Sequence, residues 1–525
     1  MNPPASHPVL TCAEAKAWEQ RLLPDADVEW SAMQAAGAQI SAAVIGDLGE
    51  IGGLPDQARV LVLVGKGHNG GDALLAARSL LAKFPRATVE ILLCLGETLL
   101  RPLAHRALDE LRLGAGTRCR VVTMDHLRAD PAGFDLCLDG IFGFQFRLPI
   151  EERTGEILAW VNRHPDIRLR AAVDLPSGVG EANASTVFRA DFTYATGIVK
   201  EPLLLAVNAA AVGRLRYLDL GFFPDELAVP GAPNRILLSS ILGPLAVLRP
   251  TQSDKRTYGH LCVVGGSHSY PGAVILAVRA ALRSGVGLVT AFVPEFLAAQ
   301  CASQHPEVMW VGCPTNNSGG MAPGSLRLMR EPMKRATALL IGPGLGADAE
   351  TLELVRHLVA DSGGPLVLDA DALRPEIVRE VQTQTFICTP HAGEFKRIAP
   401  ALYDGGQFKA ASGVLVLKGA LTSVTDGRIS YHSPFGGPVL ARGGSGDMLA
   451  GLVGGLLAQS PAAPLLAACR GVVWHGLAAD LLARTHGQVA VENSQLLEQL
   501  GPALTQIHGR LIDGAAGVHG PERSA

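Results

Sequence analysis

Short apolar runs rich in β-branched residues alternate along the chain with longer stretches rich in Ala and Leu, and many of the runs end in glycine. Val60 to Val64 precedes GKGHNGGD, Ala171 to Val173 precedes DLPSG, Leu261 to Val264 precedes GGS, and Leu339 to Ile341 precedes GPGLG. A strand buried on both faces reads as a continuous apolar run, and strand, glycine turn and helix in succession form the grammar of a parallel sheet covered by helices. Ligands of such sheets sit beyond the C-terminal ends of the strands. The pattern predicts an α/β chain that carries its chemistry at glycine turns. It occurs in both halves.

At 525 residues the chain exceeds one ordinary core. The segment FFPDELAVPGAPN, from Phe222 to Asn234, carries three prolines and no periodicity, which suits a linker. The chain is accordingly expected to divide near residue 235, into a domain over 1–225, a linker over 226–237, a second domain over 238–510 and a flexible tail over 511–525. Hydrophobic residues make up 48% and charged residues 18%, with mean hydropathy +0.24, apolar enough for sheets buried on both faces. A net charge of -4 offers no basic stripe for a phosphate backbone, so a small-molecule partner is expected rather than nucleic acid.

Nine cysteines form no CxxC pair and no Cys/His cluster with zinc spacing. Cys94, Cys137 and Cys262 lie inside apolar runs, where a thiol serves as a small core side chain, so a reducing, cytoplasmic compartment is expected. The first twenty residues lack a basic region followed by an apolar stretch. No uninterrupted apolar run reaches the roughly 18 residues of a membrane helix, so no membrane partner is expected.

In the N-terminal half, the turn after Val64 directs backbone N–H groups and a helix start towards an anion. Glycine turns at strand ends are common, so a purely structural reading also fits. The turn does not complete the dehydrogenase fingerprint of G-x-G-x-x-G plus an acidic ribose ligand, which disfavours a hydride-transferring enzyme. LDGIFGFQFR puts Asp139 at a strand end, AAVDLPSGVG puts Asp174 and Ser177 at another, and ADFTYATGIVKEPL ends near Lys200. With NGGD, with MQAAG at Met33 to Gly37 and with GRLRYLDLGF at Gly213 to Phe222, these segments resemble the epimerase domain of the NAD(P)H-hydrate repair family over most of residues 10–225.

That resemblance implies a Rossmann-like α/β/α layer structure and a potassium ion held by Asn69, Asp139 and Ser177. It implies that His68, Asn69, Gly70, Gly71 and Asp72, with the turn Gly143, Phe144, Gln145, Phe146 and Arg147, contact the hydrated dinucleotide. Asp174 would lie at the reacting ring, where a carboxylate suits acid–base work at a hydroxyl-bearing carbon. An N-cap or turn role before Pro176 is the alternative for Asp174. The chain departs from the family pattern at His68, Ala73 and Pro202. A dinucleotide sensor or oligomerisation module that has lost catalysis is the non-enzymatic reading of those departures.

In the C-terminal half, GGPVLARGGSGDMLAGLVGGLLA runs from Gly436 to Ala458. Gly443, Gly444 and Gly446 can expose backbone N–H groups at a helix start, with the Asp447 carboxylate at the same point. An anion cradle beside a base is what phosphoryl transfer to a hydroxyl requires. The turn resembles the ribokinase-like superfamily, in which it also serves small-molecule kinases. Gly265-Gly266-Ser267, Pro271-Gly272-Ala273, HPEVM at His305 to Met309, IGPGLG at Ile341 to Gly346, LDADAL at Leu368 to Leu373, TPHAGEF at Thr389 to Phe395 and LKGALT at Leu417 to Thr422 follow in the order of the ADP-dependent NAD(P)H-hydrate dehydratase.

This second resemblance implies a ribokinase-like α/β/α domain with the nicotinamide hydrate near Ala273, Gly344, His391 and Asp447. It places the nucleotide near Lys418, Gly419, Ala420, Leu421, Thr422 and Gly446. Lys418 suits phosphate as a mobile ammonium, and Thr422 adds a hydroxyl donor. A surface turn for Lys418-Gly419 and a structural loop role for His391 stand beside those readings. The two resemblances together imply NADHX and NADPHX as substrates, ADP as co-substrate giving AMP and phosphate, Mg2+ as counter-ion, and a homo-oligomer. Asp254 to Gly259 departs from the family's usual His-Lys-Gly, with Lys255 and Tyr258-Gly259 retained.

Overall fold

A computed structural model describes residues 3–223, 231–381, 384–405, 407–408 and 412–516. The chain divides into two compact units. One holds His7–Ile236 with the short stretch Ala483–Gln488, and the other holds Leu237–Leu482 and the residues from Val489, together with the chain up to Ser6. The segment expected as a linker falls outside the described residues as far as residue 230. Its end is a strand, Asn234–Leu237, with Ile236 and Leu237 fully buried, so apolar burial ends the linker early. The first residues of the expected tail continue the helix Asn493–Ala516, whose Leu and Ala positions favour helix, and 517–525 lie outside the described residues.

In the unit around His7–Ile236, seven parallel strands lie in the order Cys119–Val122, Thr88–Leu93, Arg59–Val64, Leu136–Gly140, Arg170–Val173, Phe192–Thr196 and Arg214–Leu218. Side chains alternate across the sheet. Val60, Val62 and Val64 enter a core with Met33, Ile40, Leu74 and Leu108, while Leu61 and Leu63 enter an opposite core with Ile157, Leu158 and Val161. Chain order reverses between the strands Arg59–Val64 and Leu136–Gly140. The crevice beyond their C-terminal ends is where a doubly wound sheet binds its ligand.

The unit around Leu237–Leu482 repeats this plan. Parallel strands run in the order Met309–Cys313, Leu288–Pro294, His260–Val264, Ala338–Ile341, Leu366–Leu368, Phe386–Cys388 and Gly413–Leu417. Ser423–Thr425 and Ser430–His432 add antiparallel strands after the last of these. The reversal falls between His260–Val264 and Ala338–Ile341. On one face the helices Pro271–Arg283 and Ser445–Gln459 meet so closely that a Cβ on Gly451 would lie 1.9 Å from the Ala277 carbonyl oxygen. That contact fixes the helix that starts beside Asp447. The helix Pro464–His486 is long and apolar enough to cross a membrane, and 72% of its most apolar stretch is buried inside the fold.

Replacing Gly451 by Ala should lower the stability of this unit by about 1–3 kcal/mol, the usual cost of overpacking a tight contact. Gly363→Ala, where nothing lies within 4 Å of the added carbon, should change stability by about 0.5 kcal/mol or less. Urea unfolding followed by helix circular dichroism compares the two variants, and equal stabilities would refute the packing role.

Candidate active sites

The first site forms where the strands Arg59–Val64 and Leu136–Gly140 end. A Cβ on Gly65 would fall 1.7 Å from the Ile141 carbonyl oxygen, so only glycine lets the two strand ends approach this closely. The helix His68–Lys83 follows, and its N-cap Gly67 supplies no side-chain cap. The helices headed by Thr11, Asp25, Thr123 and Asp348 all have one. The first-turn N–H groups after Gly67 are left to other acceptors.

Asp139, at the end of its strand, is fully buried. It accepts hydrogen bonds from the Ser177 backbone N–H at 2.7 Å, the Ser177 hydroxyl at 2.6 Å and the Ile141 N–H at 3.2 Å. The Phe142 N–H donates to the Ser177 hydroxyl oxygen, and Asn69 Nδ2 donates to the Phe142 carbonyl. Asn69, Asp139 and Ser177 are therefore gathered by one loop. Among the described residues no cationic side chain pairs with Asp139, and burial pushes its carboxyl up to about 6, opposed by the Ser177 and Ile141 hydrogen bonds.

Asp174 stands on the far side of the same cleft with φ 64°, a left-handed conformation rare for residues other than glycine. Its Oδ1 accepts from Lys200 Nζ at 2.5 Å and from the Thr196 hydroxyl at 3.4 Å. Lys200 is 1% exposed, with its ammonium over the Phe144 ring. His68, Asn69, Asp72, Gly143, Phe144, Gln145, Phe146 and Asp174 all line the cleft, which is open to solvent. Gly70 and Gly71 are buried behind it, Gly71 against Met33, and Arg147 is exposed outside the lining. Lys66 and Arg101 bring cations to the cleft, and Glu19 and Glu29 bring carboxylates; of these only Lys66 lies within a quoted motif, GKGHNGGD. His68, the departure from the family pattern, sits 3.5 Å from Glu29.

The second site lies beyond the C-terminal ends of the other sheet. Asp369 follows Leu366–Leu368, is buried, and accepts from Lys418 Nζ at 2.8 Å and the Thr389 hydroxyl at 2.7 Å. Ala370 beside it has φ 48°, so among the described residues both positions other than glycine with positive φ lie at the two sites. Asp371 accepts from the Gly346 N–H at 2.9 Å and ties this turn to GPGLG. Gly344 in that turn, with φ 67°, packs against Tyr270 and Ala273. Burial alone would lower Lys418, but Asp369, Glu394 and Asp447 hold its ammonium above the usual range.

Asp447 occupies the first turn of Ser445–Gln459, whose N-cap Gly444 (φ 95°) again offers no side-chain cap. A Cβ on Gly446 would stand 3.2 Å from Lys418 Nζ, which brings the glycine turn, Asp447 and Lys418 together. Burial and then the Asp369 charge push the Asp447 carboxyl up to about 7, against Lys418. Gly419 to Thr422 form an exposed-to-half-buried turn after the strand, closed by Thr422 donating to the Gly419 carbonyl. His391 is the N-cap of Ala392–Leu402: its Nδ1 accepts from the Gly393 and Glu394 N–H groups, and its side chain remains 61% exposed. The structural and the substrate-facing readings of His391 are thus compatible. Asp369 and Asp371 went unassigned from sequence, although LDADAL at the end of an apolar run was the signal for them.

Comparison with known proteins follows the same division. The family model for NAD(P)H-hydrate dehydratase matches residues 261–502, and that for the YjeF-related protein N-terminus matches residues 30–201. The bifunctional NAD(P)H-hydrate repair enzyme Nnr of Gloeobacter violaceus is 36% identical over 499 residues, covering 90% of this chain and 93% of that protein. The Escherichia coli enzyme of the same description is 31% identical and covers 85% of each. An ADP/ATP-dependent NAD(P)H-hydrate dehydratase from Bacillus subtilis, crystallised with ATP and Mg2+, superposes with TM-score 0.41 at 27% identity, covering 49% of this chain and 93% of that one.

Because Asp369 raises Asp447, Asp369→Asn should move the Asp447 titration midpoint below about 7. Carboxyl carbon shifts followed by NMR across pH 4–9 measure the midpoint, and no downward movement would remove Asp369 as a cause.

Proposed function

The chain belongs to the bifunctional NAD(P)H-hydrate repair family, and from that premise we propose that its two clefts carry the two steps of the repair. The protein acts on nicotinamide nucleotides whose dihydropyridine ring has taken up water, leaving a hydroxyl on the carbon next to the ring nitrogen. The unit with Asp174, assigned to 1–225, interconverts the R and S forms of NAD(P)HX. The unit with Asp447, assigned to 238–510, dehydrates the S form to NAD(P)H with ADP as co-substrate. The observation that carries this reading is the placing of Asp447, raised to about 7, against the uncapped glycine turn and Lys418.

A base of that pKa is matched to a neutral operating pH. In dehydration the hydroxyl proton passes to Asp447 as the oxygen bonds to the terminal phosphorus of ADP and AMP departs. Lys418 and the N–H groups of the Gly444 to Gly446 turn hold the phosphate charge. The carbon–oxygen bond then breaks as the ring nitrogen lone pair moves in. Phosphate leaves, and loss of a ring proton regenerates NADH or NADPH. The carboxylates Asp369, Asp371 and Asp447 supply hard oxygens suited to Mg2+, which ordinarily sits mainly on substrate phosphates. Bound there it would neutralise developing phosphate charge.

At the other cleft, Asp139 is a buried carboxylate without a cationic partner among the described residues, and Asn69 and Ser177 add neutral oxygens beside it. That donor set fits a monovalent cation such as potassium, whose charge would offset the buried carboxylate. His68, Asn69, Asp72 and the Gly143–Phe146 turn would then grip the dinucleotide, with Lys66 and Arg101 facing its phosphates. The nine free cysteines fit a reducing, cytoplasmic setting.

Asp447→Asn should separate the two steps: dehydration falls by about 10²- to 10⁴-fold while epimer exchange in the same protein persists. Separated R and S hydrates, followed by reduced-nicotinamide absorbance and chiral chromatography, test this. Near-normal dehydration by the folded variant would reject Asp447 as the base. Replacing potassium by tetramethylammonium, too large for the Asn69–Asp139–Ser177 site, should slow epimer exchange and leave dehydration unchanged. Undiminished exchange would reject the potassium assignment.

A further inference from the structure

The Asp174 cleft contains a carboxylate that no motif and no step above uses. Glu19 lies on the helix Cys12–Leu22, which begins with a Thr11/Glu14 capping box. Trp18, next to it, donates its indole N–H to the Phe222 carbonyl at 3.0 Å and stacks on Phe223, which fixes the helix against the cleft. Glu19 lies one turn beyond the fully buried Ala15, on the inward face. Its side chain is 23% exposed, lines the cleft and accepts no hydrogen bond among the described residues. Its nearest cation is Lys200 Nζ, 4.0 Å away, the same ammonium that touches Asp174 Oδ1 at 2.5 Å. Two carboxylates therefore flank one buried ammonium at the wall of the cleft.

Epimerising a carbon that bears both a hydroxyl and the ring nitrogen needs two proton transfers. Opening the ring breaks the carbon–nitrogen bond, turns the hydroxyl carbon into an aldehyde and leaves a nitrogen that must take a proton. One group removes the O–H proton, another supplies the N–H proton, and both return when the nitrogen attacks the opposite aldehyde face. No oxidant or reductant is involved. Asp174, anchored to Lys200, has a fixed acceptor geometry for the first task. We propose that Glu19 performs the second, as the acid that protonates the departing ring nitrogen and takes that proton back on closure. This inference rests on the epimerase reading of the cleft.

The charges around Glu19 support the division of labour. Burial is the largest influence and pushes its carboxyl up to about 7; Lys200 opposes this, while Asp174 and Glu29 add to it. His68 faces Glu29 at 3.5 Å on the adjoining helix start. Asp72, the remaining carboxylate of the cleft, is raised well above its usual range by burial and then by Asp174 and Glu19, and its Oδ1 is sealed from solvent without a hydrogen-bond partner. Glu19 is the less enclosed of the two, with its side chain 23% exposed at the cleft against 9% for the Asp72 residue. Protonated below about 7 and ionised above it, Glu19 is lost as a donor as pH rises through that value.

The experiment measures R-to-S exchange of NADHX by the full-length protein across pH 5.5–9 for the wild type, Glu19→Gln and Glu19→Asp, with thermal unfolding of each as the fold control. Wild-type exchange should decline above about pH 7. In Glu19→Gln kcat should fall about 100-fold or more with KM changed less than about threefold, and the decline near pH 7 should vanish. Glu19→Asp should recover part of kcat and restore the decline. Absence of wild-type exchange above the spontaneous rate would defeat the epimerase reading itself. Wild-type exchange with a near-normal kcat in Glu19→Gln, a rise in KM alone, or an unchanged pH decline would defeat the role of Glu19 and leave that reading intact.

Discussion

A lysine ammonium held against a buried aspartate at the C-terminal edge of a parallel sheet is the interaction on which both clefts depend. Lys200 touches Asp174 in one unit, and Lys418 touches Asp369 in the other. An isolated charge in such a place carries a heavy desolvation penalty, and removing one partner of a buried pair typically costs about 3–5 kcal/mol. Pairing lets each cleft keep a carboxylate and a cation where an apolar core would exclude either alone. The backbone is shaped to the same end: Asp174 itself and Ala370, next to Asp369, adopt the left-handed conformation. Such strain persists where surrounding packing over-determines it, here the strand ends and the turns that follow them.

The same low-polarity setting acts on the carboxylates left outside the pairs. Among the described residues none donates a direct hydrogen bond from a cation to Asp139, Glu19 or Asp447, and burial moves each towards neutrality, to about 6, 7 and 7. The consequences differ with surroundings. Asp139 is enclosed by three N–H and O–H donors, whereas Asp447 stands at an uncapped helix start beside Lys418.

Glycine governs access to both clefts through space more than flexibility. At Gly65 and Gly451 an added carbon would fall within 2 Å of a backbone oxygen, so these positions set how closely strand ends and helices approach. The helices after Gly67 and Gly444 begin without side-chain caps, so no side chain of the cap residue takes up their first-turn N–H groups at the clefts.

What could be read from the residues alone was whatever depends on neighbours in the chain. Apolar runs ending in glycine announced parallel strands, and GKGHNGGD, DLPSG, IGPGLG and GGSGD announced the turns that reach the clefts, because strand burial and turn geometry are written within a few residues. The resemblance carried by those segments named His68, Asn69, Asp139, Asp174, Ser177, Lys418 and Asp447 as candidates. Tertiary structure alone decided their pairing. Lys200 meets Asp174 across 26 residues and Lys418 meets Asp369 across 49, distances over which strand order and register, rather than local pattern, set who touches whom. Glu19 was hidden for the same reason: on an ordinary amphipathic helix a glutamate reads as solvated, and only the docking of Trp18 against Phe222 and Phe223 turns it into the cleft. Gly70, Gly71 and Arg147, named with the same motifs, stand outside the cleft lining, since a motif names consecutive residues while a helix or turn presents only some of them to one side.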